Sequence, residues 1–175
     1  MNGIIVHKRK AYTLIELIIV ICCFALIAGL GLTQLSFLDE TVAHAEIDKI
    51  ACACRYVQQL AIASNEEKYI IFDQNNNQYF VDGRCEKLSL RLCFGVLPGI
   101  KGPPGSATHT IQKVITFPKQ RICFYPMGVI SSGTVYLIDK KKQYQYALSN
   151  AVSQVSYLRI YRYDGMWKLH SDIKQ

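Results

Sequence analysis

Apolar and polar positions along the chain alternate in three different rhythms. From 17 to 32 no residue is charged, and the apolar character carries on to Leu35 across only Thr33 and Gln34. That is roughly 20 residues, the length of a bilayer-spanning helix. Between 43 and 61 the rhythm changes to steps of four and three: Ala43, Ile47, Ile50, Cys54, Val57 and Ala61, with Glu46, Asp48, Lys49, Arg55 and Gln59 elsewhere around the turn. Such spacing places the apolar residues on one stripe of an amphipathic helix. Ser64 and Asn65 are suited to end it, since Asn tolerates the left-handed conformation at a helix C-terminus.

Beyond Lys68 the period shortens to that of strands. Residues 68–73 and 79–81 flank the turn-forming run Gln74 to Gln78, and Leu88, Leu90, Leu92 and Phe94 alternate with Ser89, Arg91 and Cys93. Further strands are expected at 114–117, 122–125, 134–138, 143–148 and 155–163, with the lysines of 139–142 solvated at a hairpin tip. The glycines and prolines of 99–105 are too few for a collagen repeat and lack the Gly-Lys-Ser/Thr of a phosphate loop, so 98–109 reads as a loop. The pattern predicts an α+β chain: a long N-terminal α-helix, half transmembrane and half amphipathic, packed on a C-terminal antiparallel β-sheet domain. Its parts are a leader at 1–11, a membrane half at 12–35, an amphipathic half at 36–64 and a β-rich domain at 65–175. His7, Lys8, Arg9 and Lys10 precede the apolar run, and by the positive-inside rule they keep the N-terminus in the cytoplasm.

Glu16 stands at the head of this apolar run, where a carboxylate costs several kcal/mol unless it is paired. The stretch Lys10-Ala11-Tyr12-Thr13-Leu14-Ile15-Glu16-Leu17 resembles the N-terminal signal of type IV prepilins and pseudopilins: basic leader, small residue, aromatic, Thr-Leu-Ile-Glu, then the apolar helix. The resemblance implies a pilin-like fold and cleavage by a prepilin peptidase between Ala11 and Tyr12. It also implies N-methylation of Tyr12 and a pairing of Glu16 with the amine of a neighbouring subunit during assembly. The family more often has Gly before the cut and Phe after it.

A second stretch, Gly128 to Ile138, then Tyr144 to Leu148, then Tyr157 to Tyr163, resembles the domain of GspH/FimT-type minor pseudopilins. This resemblance implies a minor subunit that initiates or caps a type II secretion or type IV pilus-like filament. Its implied partners are other pilins and pseudopilins, the prepilin peptidase and an inner-membrane assembly platform. It implies a single-pass protein of the bacterial inner membrane with a periplasmic globular domain. The alternative is a DNA-binding minor pilin for DNA uptake. Some family members bind DNA through Gly-Arg-x-Arg near the C-terminus, whereas this chain has Arg159-Ile-Tyr-Arg162 without the Gly-Arg pair. The candidate DNA contacts are therefore Arg159, Arg162 and Lys168, and alternation sets Arg159 and Arg162 on opposite faces of their strand.

Charge adds little to that alternative. Three of the 20 basic residues, Lys8, Arg9 and Lys10, sit in the leader, and without them the excess over the 13 acidic residues falls from +7 to +4. An enzymatic role is not expected. The four histidines, His7, His44, His109 and His170, are far apart in sequence, and no Gly-x-Ser-x-Gly, His-Glu-x-x-His or Cys-x-x-Cys pattern occurs. No metal or cofactor is expected either. Of the seven cysteines, Cys22 and Cys23 read as small apolar residues. Cys85 and Cys93 are the easiest pair to join in an oxidising compartment, and an odd count leaves at least one thiol unpaired within the chain.

Overall fold

The computed structural model describes residues 13–104, 110–150 and 157–170, with side chains inside the N-terminal helical segment described at 14–27, 29 and 41–64. The elements run α1 (Leu14–Ser64), β1 (Lys68–Asp73), β2 (Gln78–Val81), β3 (Arg84–Lys87), β4 (Leu92–Phe94), a 3-10 turn (Pro118–Gln120), β5 (Arg121–Phe124), β6 (Gly133–Asp139), β7 (Gln145–Asn150), β8 (Arg159–Tyr163) and β9 (Trp167–Leu169). The chain divides into two compact units, Met1–Glu40 and Thr41–Gln175.

In the first unit the described helix of 14–27 is apolar all round and exposed, with Leu14, Phe24, Leu26 and Ile27 each more than two-thirds open to solvent. The expectation of a single membrane pass does not hold, because among the described residues no helix is long and apolar enough to cross a membrane. The apolar stretch whose side chains are described, 14–27, covers about 21 Å at 1.5 Å per residue, against a hydrocarbon core of about 30 Å.

In the second unit the stripe Ala43, Ile47, Ile50, Cys54, Val57 and Ala61 is buried, none of the six above 2 % exposure. The helix ends where Asn65 takes a left-handed backbone (φ 53°) and the Glu66 N–H donates to the Ala61 carbonyl at 3.2 Å, a Schellman closure. Sheet A has the order β3-β2-β1-β5 and sheet B the order β4-β6-β7-β8-β9, antiparallel throughout. The stripe packs against Ile70, Phe72 and Tyr79 of sheet A and Val135, Tyr146 and Leu148 of sheet B in one continuous core. Truncating a stripe residue such as Ile50 to Ala should cost about 2–5 kcal/mol. Sheet B is covered on its other face too: Tyr136, Ala147 and Tyr161 pack under Val96 and Ile111 beside Trp167 and Leu169. That second layer is why β7 is buried at every position rather than at alternate ones.

The expected architecture, one long N-terminal helix packed on a single sheet domain, is therefore corrected. Helical backbone is assigned over Leu14–Ser64, but the portion before Thr41 belongs to a separate unit, the described residues that pack on strands are those of 41–64, and the strands form two sheets of four and five. The reason is visible on the flanks of 41–64. One flank carries Lys49, whose ammonium pairs with Glu86 of β3 at 2.8 Å in sheet A; the other carries His44 and Asp48, which meet Arg162 of β8 and His170 just beyond β9 in sheet B. The helix lies in a seam, and each sheet covers one side of the stripe.

Asn77 joins the two sheets directly. Its side-chain amide donates to the Leu92 carbonyl at 2.9 Å and its side-chain oxygen accepts from the Phe94 N–H at 2.9 Å, so the loop after β1 pairs with β4 as a strand residue would. Asp73 holds that loop in shape by accepting from the N–H groups of Asn75 and Asn76 at 3.1 and 3.2 Å.

Candidate functional site

At the head of α1, Thr13 and Glu16 cap each other. The Thr13 N–H donates to Glu16 Oε2 at 2.9 Å, the Thr13 hydroxyl donates to the same oxygen at 3.2 Å, and the Glu16 N–H donates to Thr13 Oγ1 at 3.4 Å. This is the reciprocal arrangement of a capping box, with Thr at the N-cap and Glu three residues on. The carboxylate also sits at the positive end of the helix dipole. Glu16 thus has a partner within its own chain, at the start of a helix whose apolar side chains point outward. Ala11 and Tyr12, the expected cleavage and methylation positions, lie outside the described residues.

Of the three candidate DNA contacts, Arg162 and Lys168 are opposed in the β8–β9 ladder, and Arg159 lies apart on the other face of β8. Arg159 is exposed, its guanidinium donating to the Tyr157 hydroxyl at 3.0 Å and lying 5.2 Å from the centre of that ring. Hydrogen bonding and the charge of Tyr157 and Tyr161 nearby raise its pKa above the ordinary arginine value. Arg162 turns the opposite way, towards the helix. Its guanidinium stacks over Tyr144 at 4.2 Å and donates to His44 Nε2 at 3.2 Å. Lys168 is exposed on β9 directly across from Arg162 in the ladder. Of the three, Arg159 and Lys168 are exposed, whereas Arg162 is half-buried and packed into the helix seam.

Cys85 and Cys93 are both free thiols on different sheets. The Cys85 thiol donates to Gln78 Oε1 at 3.3 Å and the Cys93 thiol to the Ile138 carbonyl at 3.7 Å. Burial raises the pKa of the Cys93 thiol. Sheet topology sets the two apart, since β3 is an edge of sheet A and β4 an edge of sheet B. Among the described residues no group of three His, Cys, Asp or Glu side chains is placed to hold a metal ion.

Around Arg162 the fold builds a cluster that sequence spacing does not announce. His44 and His170 stack face to face, centroids 4.8 Å apart and planes at 10°. His170 Nε2 lies 3.3 Å from Asp48 Oδ1, and the edge of Tyr146 meets the His44 ring at 5.6 Å. His44 and Arg162 are 118 residues apart in the chain, and the one local hint is that His44 and Asp48, four apart, each follow a stripe residue, Ala43 and Ile47, and so flank the buried face together. Compared with protein-family profiles, curated proteins and solved structures, the chain matches none.

Proposed function

We propose that this chain is a minor pseudopilin, a structural subunit that initiates or caps a type II secretion or type IV pilus-like filament after a prepilin peptidase cuts between Ala11 and Tyr12. The observation that carries the reading is the run from Lys10 to Leu17, in which a small residue and an aromatic precede Thr-Leu-Ile-Glu. In support, the Thr13–Glu16 cap opens a helix whose large apolar residues face outward over 14–27, a surface that gains by packing against the like helices of other subunits. The partners in this reading are other pilins and pseudopilins and the assembly machinery that handles them. The role is structural, with Glu16 contributing to assembly.

Co-expression with a prepilin peptidase tests it. Mass spectrometry should find the chain shortened by 11 residues, with Tyr12 at the new N-terminus and methylated. A bulky residue in place of Ala11 should block the cut. An intact chain under conditions where a control prepilin is fully processed would remove the reading.

A further inference from the structure

We propose that His44 and Arg162 form an acid-sensitive latch that fastens the helix of 41–64 to sheet B, independently of any reading of function. The proton positions follow from the partners. A guanidinium has only donors, so at 3.2 Å from Arg162 Nη1 the His44 Nε2 atom must accept through its lone pair. The His44 ring is then neutral, with its proton on Nδ1. On the stacked ring the sense is opposite: the Asp48 carboxylate accepts, so His170 Nε2 carries a proton and donates across 3.3 Å.

Protonating His44 turns its Nε2 into a donor facing a donor. The hydrogen bond is lost, and a new cation appears against Arg162 and against a His170 ring that is 3 % exposed and hence poorly screened by water. Among the described residues, the charged and titratable groups in contact with His44 or with its partners include Asp48 on its own helix, Tyr146 on β7, Arg162 on β8 with Tyr144 beneath its guanidinium, and His170, while Lys168 lies opposite Arg162 in the ladder. Acidification to about pH 5, below the ordinary histidine range near 6.5, therefore loosens the seam between 41–64 and β8, while the Lys49–Glu86 pair on the sheet A side stays ionised.

The test uses the full chain. Ring-nitrogen NMR at pH 7.5 should show His44 with its proton on Nδ1 and an unprotonated Nε2; a proton on Nε2 overturns the proposal. Hydrogen exchange, corrected for the intrinsic pH effect, should show amide protection over residues 43–50 falling about tenfold between pH 7.5 and pH 5. His44→Gln keeps a side-chain oxygen to accept from Arg162 but cannot titrate, and it should abolish that fall. An equal fall in His44→Gln and wild type overturns the latch, and if the variant does not fold the ring tautomer of the wild type still decides.

Discussion

Glu16 Oε2 accepts from the Thr13 N–H at 2.9 Å, so the carboxylate that looks out of place at the head of an apolar run closes the first turn of its own helix. Under the proposed function one side chain would carry two roles: the local cap seen here, which needs an acceptor, and pairing with a neighbour's amine, which needs a charge. Sequence alone points to the second, and the first is a short-range consequence of the Thr-x-x-Glu spacing.

The two roles separate by substitution. Glu16→Gln retains an acceptor for the capping box and loses the charge; Thr13→Ala loses the cap, at a cost of about 1 kcal/mol, and keeps the charge. Crosslinking to partner pseudopilins is expected to drop in Glu16→Gln and to persist in Thr13→Ala. The reverse ranking would assign Glu16 to helix capping alone.

Cys54 gives a prediction in alkali. Burial pushes its thiol from 9.0 up to about 12. Its folded pKa lies above the unfolded one, so the stability it contributes is complete below pH 9 and drains away as pH rises from 9 towards 12. At pH 10 the loss is on the order of 1 kcal/mol. Urea titrations at pH 8 and pH 10 should show a larger alkaline loss in wild type than in Cys54→Ala. At neutral pH, alkylating reagents should modify the exposed Cys52 and Cys85 and leave Cys54 until the chain unfolds.

The arginines of β8 should part company on mutation. Arg162→Ala removes the contacts to His44 and Tyr144 and should cost about 1–3 kcal/mol, whereas Arg159→Ala, on the exposed face, should stay within about 0.5 kcal/mol. Because these cations are split between faces, duplex DNA is expected to bind weakly or not at all near about 150 mM salt. Fluorescence anisotropy with a labelled duplex checks this. A micromolar dissociation constant lost in both Arg159→Ala and Lys168→Ala would favour the DNA-uptake alternative.

Gly133 opens β6 at φ +157°, and a Cβ there would lie 2.5 Å from the Phe117 ring and 2.8 Å from the Phe117 Cα. A backbone atom cannot move aside as a side-chain tip can. Gly133→Ala should lower stability by about 1–3 kcal/mol, seen as a lower denaturation midpoint with an unchanged slope.

The helical stripe was readable because six apolar residues keep a 3.6-residue period, and burial of Ala43 to Ala61 follows that period position by position. Strand partition was not. Residues facing the seam alternate with period two in either sheet, so nothing local distinguishes a strand of sheet A from one of sheet B. Strand β3, Arg84–Lys87, has no apolar alternation at all; the signal available was Asp82-Gly83, a two-residue turn with both residues at positive φ, which closes a hairpin with β2. The expected long strand through Leu88 and Leu90 shrinks to Leu92–Phe94, leaving Leu90 82 % exposed, and β9 was missed because three residues carry too little pattern. The cluster of His44, Asp48, Arg162 and His170 depends on contacts more than a hundred residues apart, which no sequence window contains.

Asn77 bears on the order in which the second unit folds. Strand β4 finds its ladder partner β6 only when Leu92 meets Asp139 and Phe94 meets Leu137, after a long stretch of chain has been made and collapsed. Its bonds to Asn77 span only 15 and 17 residues, a loop whose closure costs less chain entropy. The meander of β1, β2 and β3 is equally local. The Asn77 amide therefore gives β4 a partner nearer in sequence than β6, a contact with the β1–β2 hairpin that closes at a lower cost in chain entropy than the β4–β6 ladder does.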